Sequence, residues 1–334
     1  MRSRALGRTL TVSEIGFGAW GIGGSTPGAT SYGATDDQAS LHAIKKALDL
    51  GITFFDTSSV YGYGHSEELL GQALESLRSQ VVLATKAGLI RYGDPVDLAP
   101  AAIRKSLEQS LRRLRTDRVD LLQLHNPSPE RMRNADDLLR LRDALIDEGK
   151  IRAFGISVRE PSDGLVAIES LKPDAIQVNF NLLDRRAIDC GLLNAAQSAG
   201  CGLIARTPLC FGFLSGTINE QSTFAADDHR GRWPREQIAW WVKGARAMLE
   251  GMPRVQSASQ FALRFCLSFP AISSVIPGML TDREAAENAA ASNLGPLDEA
   301  VLNAIDAVYR RLERPPDKPV DPGKIDRASA RASS

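Results

Sequence analysis

FFDTSSVYGYGHSEELLG, residues 54–71, runs from a short apolar stretch into an acid, then a polar loop bearing Tyr61, then the opening of a helix. An apolar run too short for a helix, followed by turn residues and an amphipathic pattern, reads as one strand–loop–helix unit. The same unit recurs along the chain. Short β-branched or apolar runs stand at 15–18 (IGFG), 53–56 (TFFD), 81–86 (VVLATK), 120–125 (DLLQLH), 153–157 (AFGIS), 175–179 (AIQVN), 202–206 (GLIAR) and 273–277 (SSVIP), eight in all. Helical patterns lie between them. DDQASLHAIKKALDLG opens on Asp36 as a cap and stops at Gly51, and APAAIRKSLEQSLRRL carries Pro100 in its first turn. NADDLLRLRDALIDEG, IDCGLLNAAQSAG, VQSASQFALRFCLSF and DREAAENAAA continue the series. Apolar strands alternating with helices predict a (β/α)8 TIM barrel, because such strands need cover on their outer face.

Three segments fall outside the eightfold count. Residues 4–14, with Gly7 between short alternating runs, predict an N-terminal hairpin closing the barrel bottom. REQIAWWVKGARAMLE at 235–250 and LDEAVLNAIDAVYRRL at 297–312 predict two added helices. In the first, Trp240 and Trp241 face different ways, so one of them packs on the barrel. The expected organisation is a single barrel domain over 1–312 and a polar, Pro-rich, loosely ordered tail at 313–334.

The 334 residues hold 40 basic and 40 acidic side chains, so net charge draws the chain neither to nucleic acid nor to an anionic membrane. A hydrophobic fraction of 43% fills a sizeable core. The N-terminal MRSRALGRTLTVSEIG has no apolar leader core, and no segment approaches the roughly 20 apolar residues of a membrane span. These features predict a cytoplasmic protein with small-molecule partners. Cys190, Cys201, Cys210 and Cys266 show no CxxC spacing, which predicts reduced, structural thiols and no metal.

In a TIM barrel the reactive residues sit at the C-terminal ends of the strands. Asp56 ends the second run, Tyr61 follows in its loop, Lys86 ends the third and His125 the fourth. Each alone has a structural reading: a cap, a loop anchor, a snorkelling lysine, a turn histidine. Together they form a catalytic set. An ammonium beside a phenol eases proton donation, Asp56 keeps Lys86 charged and aimed, and His125 offers a hydrogen bond to a carbonyl oxygen. Such a set suits giving a carbonyl oxygen its proton while a hydride arrives at carbon, and a hydride requires a cofactor.

With these residues the chain resembles an aldo-keto reductase from about Leu6 to Leu312, through LGRT, VSEIGFGAWGIGG, FFDTSSVYGYGHSEELLG, VVLATKAG, RVDLLQLHNP, AFGIS, IQVNFNLL, TPLCFGFLSG, VIPGM and AAENAAA in the family's order. The resemblance implies a catalytic tetrad of Asp56, Tyr61, Lys86 and His125, with Tyr61 as general acid. It implies NADPH, or less often NADH, bound across the barrel mouth without a Rossmann fingerprint. It places Gly18, Ala19, Trp20 and Asp56 along the cofactor site, Ser157 and Gln177 on the carboxamide, and Thr207, Leu209 and Gly212 over the pyrophosphate. Gly278, Met279, Glu287 and Asn288 fall near the adenosine end. Three departures from the family pattern stand out. Val158 replaces a common Asn. Arg206 stands where an aromatic ring stacks on nicotinamide, its guanidinium able to stack instead. Glu284 occupies the place of an arginine that grips the 2′-phosphate, a change that favours NAD, with Arg283 beside it.

The substrate pocket expected from these positions comprises Trp20, Tyr61, Tyr92, His125 and Phe211, with Arg91 beside Tyr92. CFGFLSGTINEQSTFAADDHRGRWP at 210–234 mixes aromatic and charged residues and predicts a mobile lid suited to a sugar or natural-product carbonyl. Two other enzymatic readings remain open: an NAD-dependent aldose or alcohol dehydrogenase, and a sugar enoyl reductase. A reading of another class is a cofactor-sensing binding subunit with slow chemistry. The oligomeric state is open.

Overall fold

A computed structural model describes residues 1–250, 252 and 256–312; the expected tail at 313–334 lies outside the described residues. Strands β1 (Ser3–Leu6) and β2 (Leu10–Ser13) pair antiparallel around Gly7, as the alternating runs predict. The barrel strands follow: β3 (Phe17–Gly18), β4 (Phe54–Asp56), β5 (Val82–Ala87), β6 (Val119–His125), β7 (Ile151–Ser157), β8 (Ala175–Asn179), β9 (Gly202–Arg206) and β10 (Ile272–Ile276). They form one parallel sheet in sequential order. The cylinder closes between first and last: Gly16 N donates to Val275 O at 2.8 Å and Gly18 N to Pro277 O at 3.0 Å. Gly18 is needed there, since a Cβ would stand 2.5 Å from the Ile276 carbonyl oxygen.

The helices are α1 (Asp37–Asp49), α2 (His65–Leu74), α3 (Pro100–Arg113), α4 (Pro129–Arg133), α5 (Asp136–Asp147), α6 (Pro161–Leu171), α7 (Arg186–Asp189), α8 (Leu192–Ala199), α9 (Arg235–Leu249), α10 (Ala258–Leu267), α11 (Asp282–Leu294) and α12 (Glu299–Arg311). Asp36 caps α1, its carboxylate accepting from Ala39 N at 2.7 Å. The helices α9 and α12 are the two additions. In α9, Trp241 is buried and Trp240 half-buried. Two elements differ from expectation. IDCGLLNAAQSAG breaks into α7 and α8 because Gly191 takes a left-handed φ of 80°. The short α4 is additional, started by Ser128, whose hydroxyl accepts from Arg131 N, with Pro129 in the first turn. No described helix is long and apolar enough to cross a membrane.

Side chains alternate along a strand with period two, and this sorts the barrel into layers. Phe55, Leu83, Leu122, Leu124, Phe154, Ile156 and Ile176 point outward into the shell between strands and helices. Phe54, Val82, Ala84, Leu121, Ala153, Ala175, Ile204 and Ile276 point inward and pack with Leu6, Leu10 and Val12 of the hairpin, which plugs the bottom. Two residues further along five of the strands the inward chain becomes polar. Asp56 stands above Phe54, Lys86 above Ala84, Gln123 above Leu121, Gln177 above Ala175 and Arg206 above Ile204. The apolar plug supports a polar floor at the C-terminal end of the barrel.

Candidate active site

The floor is a single hydrogen-bonded cluster. Lys86 Nζ donates to Asp56 Oδ1 at 2.5 Å and to the Thr57 carbonyl at 2.8 Å. Gln123 Nε2 and Gln177 Nε2 both donate to Asp56 Oδ2 at 2.8 Å, and Gln177 Nε2 also lies 3.2 Å from Gln123 Oε1. The Lys86 and Asp56 side chains are 0% and 2% exposed. Burial pulls the Lys86 pKa down, opposed by the charge and hydrogen bond of Asp56. Lys86 is therefore no snorkelling lysine; its charge is held in place by a carboxylate whose two oxygens are both engaged.

Tyr61 stands over this pair, with Lys86 Nζ 5.0 Å from its ring centroid. The loop carrying it is tightly fixed. Tyr61 N donates to Ser58 O, Ser66 Oγ donates to Ala19 O at 2.7 Å and lies 2.8 Å from Thr57 Oγ1, and Ala19 N donates to Asp56 O. Gly62, next to Tyr61, has φ of 59° and packs on Gly23, whose carbonyl a Cβ would strike. A Cβ on Gly23 would in turn lie 2.8 Å from Gly62 N. The glycines of GFGAWGIGG thus include one that lets its turn pass against the tyrosine loop. The phenol pKa is raised, first by burial and then by Asp56, with Arg206 opposing. The sequence predicts an ammonium-assisted, more acidic phenol; in the fold Asp56 answers the ammonium and burial prevails.

His125 is buried, with Nδ1 3.3 Å from Ser58 Oγ. Burial, with Lys86, Arg206 and Arg159, pushes its pKa well below the usual imidazole value, so the ring is neutral at physiological pH. A neutral imidazole carries one N–H to offer.

Around the tetrad, the fold brings most expected residues to the same rim. Trp20 follows β3, and the Tyr92 phenol in the loop beyond β5 is held well above its ordinary pKa, first by burial and then by Tyr61, with Trp20 opposing. Phe211 packs edge-on to Trp20 with centroids 6.4 Å apart. Ser157 and Gln177 pair in register on β7 and β8, and Asn179 pairs with Arg206 on β8 and β9. Arg206 Nη2 donates to the Val158 carbonyl at 3.0 Å, so the two departures on this side are bonded to each other. Thr207, Cys210, Phe211 and Gly212 all have left-handed φ, and Thr207 Oγ1 donates to Asn179 Oδ1 at 2.8 Å, fixing the loop beyond β9. At the closing seam a Cβ on Gly278 would meet nothing within 4 Å, while Met279 beside it is buried.

Other expected residues also make structural contacts. Glu284 completes the capping box of α11, accepting from Leu280 N at 2.6 Å and Thr281 N at 3.2 Å. Glu287 accepts from Ser257 Oγ at 2.7 Å, tying α11 to the start of α10, and Asn288 is buried on the same helix. Arg91 leaves the wall of Trp20 and Tyr92. It lies 5.6 Å from the Tyr63 ring and lines a cavity of about 360 Å³ with Ile90, Ser106, Gln109 and Arg112, at the start of a turn that Asp94 N closes on the Arg91 carbonyl. The 210–234 segment is anchored: Asp228 bridges to Ser31 and Tyr32, and His229 is wholly buried. Gln123 was not singled out from the sequence, although its inward phase two residues before His125 is the signal that finds it. Among the described residues no cluster of His, Cys, Asp or Glu is set to hold a metal ion.

A closed parallel barrel with reactive side chains gathered at the strand C-termini is the layout of a barrel enzyme. The chain belongs to the aldo/keto reductase family, whose model matches residues 14–310. It is 37% identical over 234 residues to the aldo-keto reductase YhdN of Bacillus subtilis, covering 68% of each chain. It is 30% identical to the L-galactose dehydrogenase of Arabidopsis thaliana, covering 93% of this chain and 95% of that one. Among solved structures it resembles the glycerol dehydrogenase AKR11B4 from Gluconobacter oxydans, with a TM-score of 0.76 and 30% identity over 96% of this chain and 98% of that one. The protein is accordingly an oxidoreductase of a family that acts on carbonyls and alcohols with nicotinamide cofactors.

Proposed function

We propose that the enzyme reduces the carbonyl of a hydroxylated compound, a sugar or a sugar-like natural product, with Tyr61 as proton donor. The observation that carries this reading is the buried Lys86–Asp56 pair under Tyr61, with neutral His125 beside it. A bound reduced nicotinamide supplies the hydride. The Tyr61 hydroxyl gives its proton to the carbonyl oxygen as negative charge develops there. The Lys86 ammonium faces the phenolate left behind, and Asp56 holds that ammonium still. The His125 N–H donates to the same oxygen and sets the carbonyl plane. Gln123 and Gln177 hold Asp56 from the other side, so neither lysine nor carboxylate is free to turn away.

The residues present fit the nucleotide. Ser157 and the Gln177 carbonyl oxygen offer partners for a carboxamide, since the Gln177 amide nitrogen is engaged by Asp56. The backbone at Gly278, where a Cβ would meet nothing within 4 Å, is open to the nucleotide, and the loop at 207–212 would lie over its phosphates. NADPH is the proposed nucleotide, with NADH the alternative. The charge of Glu284 is met by two backbone N–H groups and the N-terminus of α11, which moderates its repulsion of a 2′-phosphate, and Arg283 stands beside it. Dehydrogenases of polyhydroxylated compounds among the similar proteins support the substrate class and favour the reverse, oxidising direction as the second reading. The test is turnover of purified enzyme with NADPH and with NADH against aldoses, keto sugars, glycosides and simple aromatic aldehydes. Selective turnover of the hydroxylated carbonyls is expected. Turnover of aromatic aldehydes alone would end the substrate reading.

A further inference from the structure

The loop segment from Asp228 to Trp233 pairs with the segment around Ser31. His229 N donates to Ser31 O at 2.8 Å, and Arg230 Nη2 holds Asp228 Oδ2 at 2.6 Å. Between these anchors His229 is fully buried. Its ring centroid lies 4.9 Å from Trp20, 5.1 Å from Tyr32 and 5.1 Å from Phe211. Trp233 Nε1 lies 3.3 Å from His229 Nδ1. An indole nitrogen only donates, so Nδ1 accepts and the single proton of the neutral ring resides on Nε2. That buried Nε2 has no hydrogen-bond partner within the protein. Buried donors are nearly always met, so one facing aromatic neighbours that offer it no acceptor calls for an acceptor from outside the chain.

The position of the ring says what that acceptor belongs to. Trp20 is the shared wall: its ring packs on His229, and it directly follows Ala19, whose N–H donates to the Asp56 carbonyl beneath Tyr61. Trp20 therefore joins the imidazole to the rim that carries the Asp56–Lys86 pair. We propose that His229 is a substrate-positioning residue, whose Nε2–H donates to a hydroxyl or ring oxygen of the bound compound at a point remote from the reacting carbonyl. This deepens the reading above and rests on it. A donor fixed among aromatic faces selects substrates that present an oxygen there over analogues that present carbon, because only the former satisfy the N–H.

The test compares steady-state reduction of xylose with pentanal, and of glyceraldehyde with propanal, in wild type, His229→Phe and His229→Gln. His229→Phe is expected to lower the hydroxylated-to-deoxygenated ratio of kcat/KM about tenfold or more, chiefly through KM of the hydroxylated member. His229→Gln, which keeps an amide donor, is expected to restore part of that ratio. Equal losses for both members of each pair would overturn the proposal and leave His229 as packing. If His229→Phe does not fold, Trp233→Phe removes the partner that fixes the tautomer; it should lower the same ratio, and an unchanged ratio would overturn the proposal. A wild type that reduces other carbonyl compounds but neither xylose nor glyceraldehyde would instead sink the hydroxylated-substrate reading itself.

Discussion

Lys86 Nζ and Asp56 Oδ1 meet at 2.5 Å beneath Tyr61, in a site where neither side chain has appreciable contact with water. Two charges withdrawn from solvent stabilise a fold only while each has the other, and the pair here is further committed by Gln123, Gln177 and the Thr57 carbonyl. Removing one partner strands the other.

Asp56→Leu and Lys86→Met should each destabilise the protein by about 3–5 kcal/mol, the usual result of leaving a buried charge alone. The double substitution should lose clearly less than the sum. Denaturant unfolding of the four proteins in a cycle measures the coupling, and strictly additive losses would show that the two charges do not depend on each other.

The pH profile follows from the direction of the shifts. Burial and Asp56 hold the Tyr61 phenol above its ordinary value of about 10, and burial holds His125 well below 6.5, so neither titrates between pH 6 and 9. The chemical step of reduction should be flat across that range. Alcohol oxidation needs the tyrosinate, so its chemical step should rise by roughly tenfold per pH unit over the same range. Single-turnover rates in both directions test this, and an inflection of reduction near pH 7 would contradict it.

His229 predicts a stability effect of its own. Burial, opposed by Asp228 and aided by Arg230 and Arg232, pushes its pKa down to about 4. The unfolded chain takes up this proton as pH falls through about 6.5, while the folded one does not until about 4. Stability present above pH 6.5 should thus decline by up to about 3 kcal/mol as pH falls toward 4. His125, shifted in the same direction, adds to the slope. In His229→Phe the decline measured by urea unfolding should be shallower, and an unchanged slope would count against a buried neutral imidazole.

Gly62 offers a backbone test. Its φ of 59° and its contact with Gly23 leave no room for a side chain, so Gly62→Ala should displace the Tyr61 loop and cut kcat at least tenfold, with a stability loss of about 1–3 kcal/mol. Gly149→Ala, at a similar φ of 70° with nothing within 4 Å, should lose about 1 kcal/mol or less and keep its activity. Circular dichroism melts and steady-state rates separate the two.

The eight strands were legible because parallel barrel strands are short apolar runs bounded by turn residues, and Asp56, Lys86 and His125 because they end such runs. What escaped depended on contacts between distant segments. Nothing periodic in the sequence announces that Asp228 will bridge to Ser31 or that His229 will lodge against Trp20. The Thr281–Glu284 capping box is legible in principle, since Thr-x-x-Glu before a helical run is its signature, but it coincides with the position where the family resemblance places a phosphate contact. Tyr61 shows a further limit. Sequence places an ammonium near a phenol, whereas whether the ammonium or the burial governs the phenol depends on Asp56 and on depth, which only the fold supplies.

The central claim, that Tyr61 is the proton donor of a nicotinamide-dependent reduction, is tested most directly by Tyr61→Phe. Nucleotide binding, followed by quenching of tryptophan fluorescence, is measured beside the single-turnover reduction of a hydroxylated aldehyde. Nucleotide affinity should hold within about threefold while the reduction rate falls by at least about 100-fold, the scale of a lost general acid. A reduction rate within a few-fold of wild type, with nucleotide bound, would contradict the assignment.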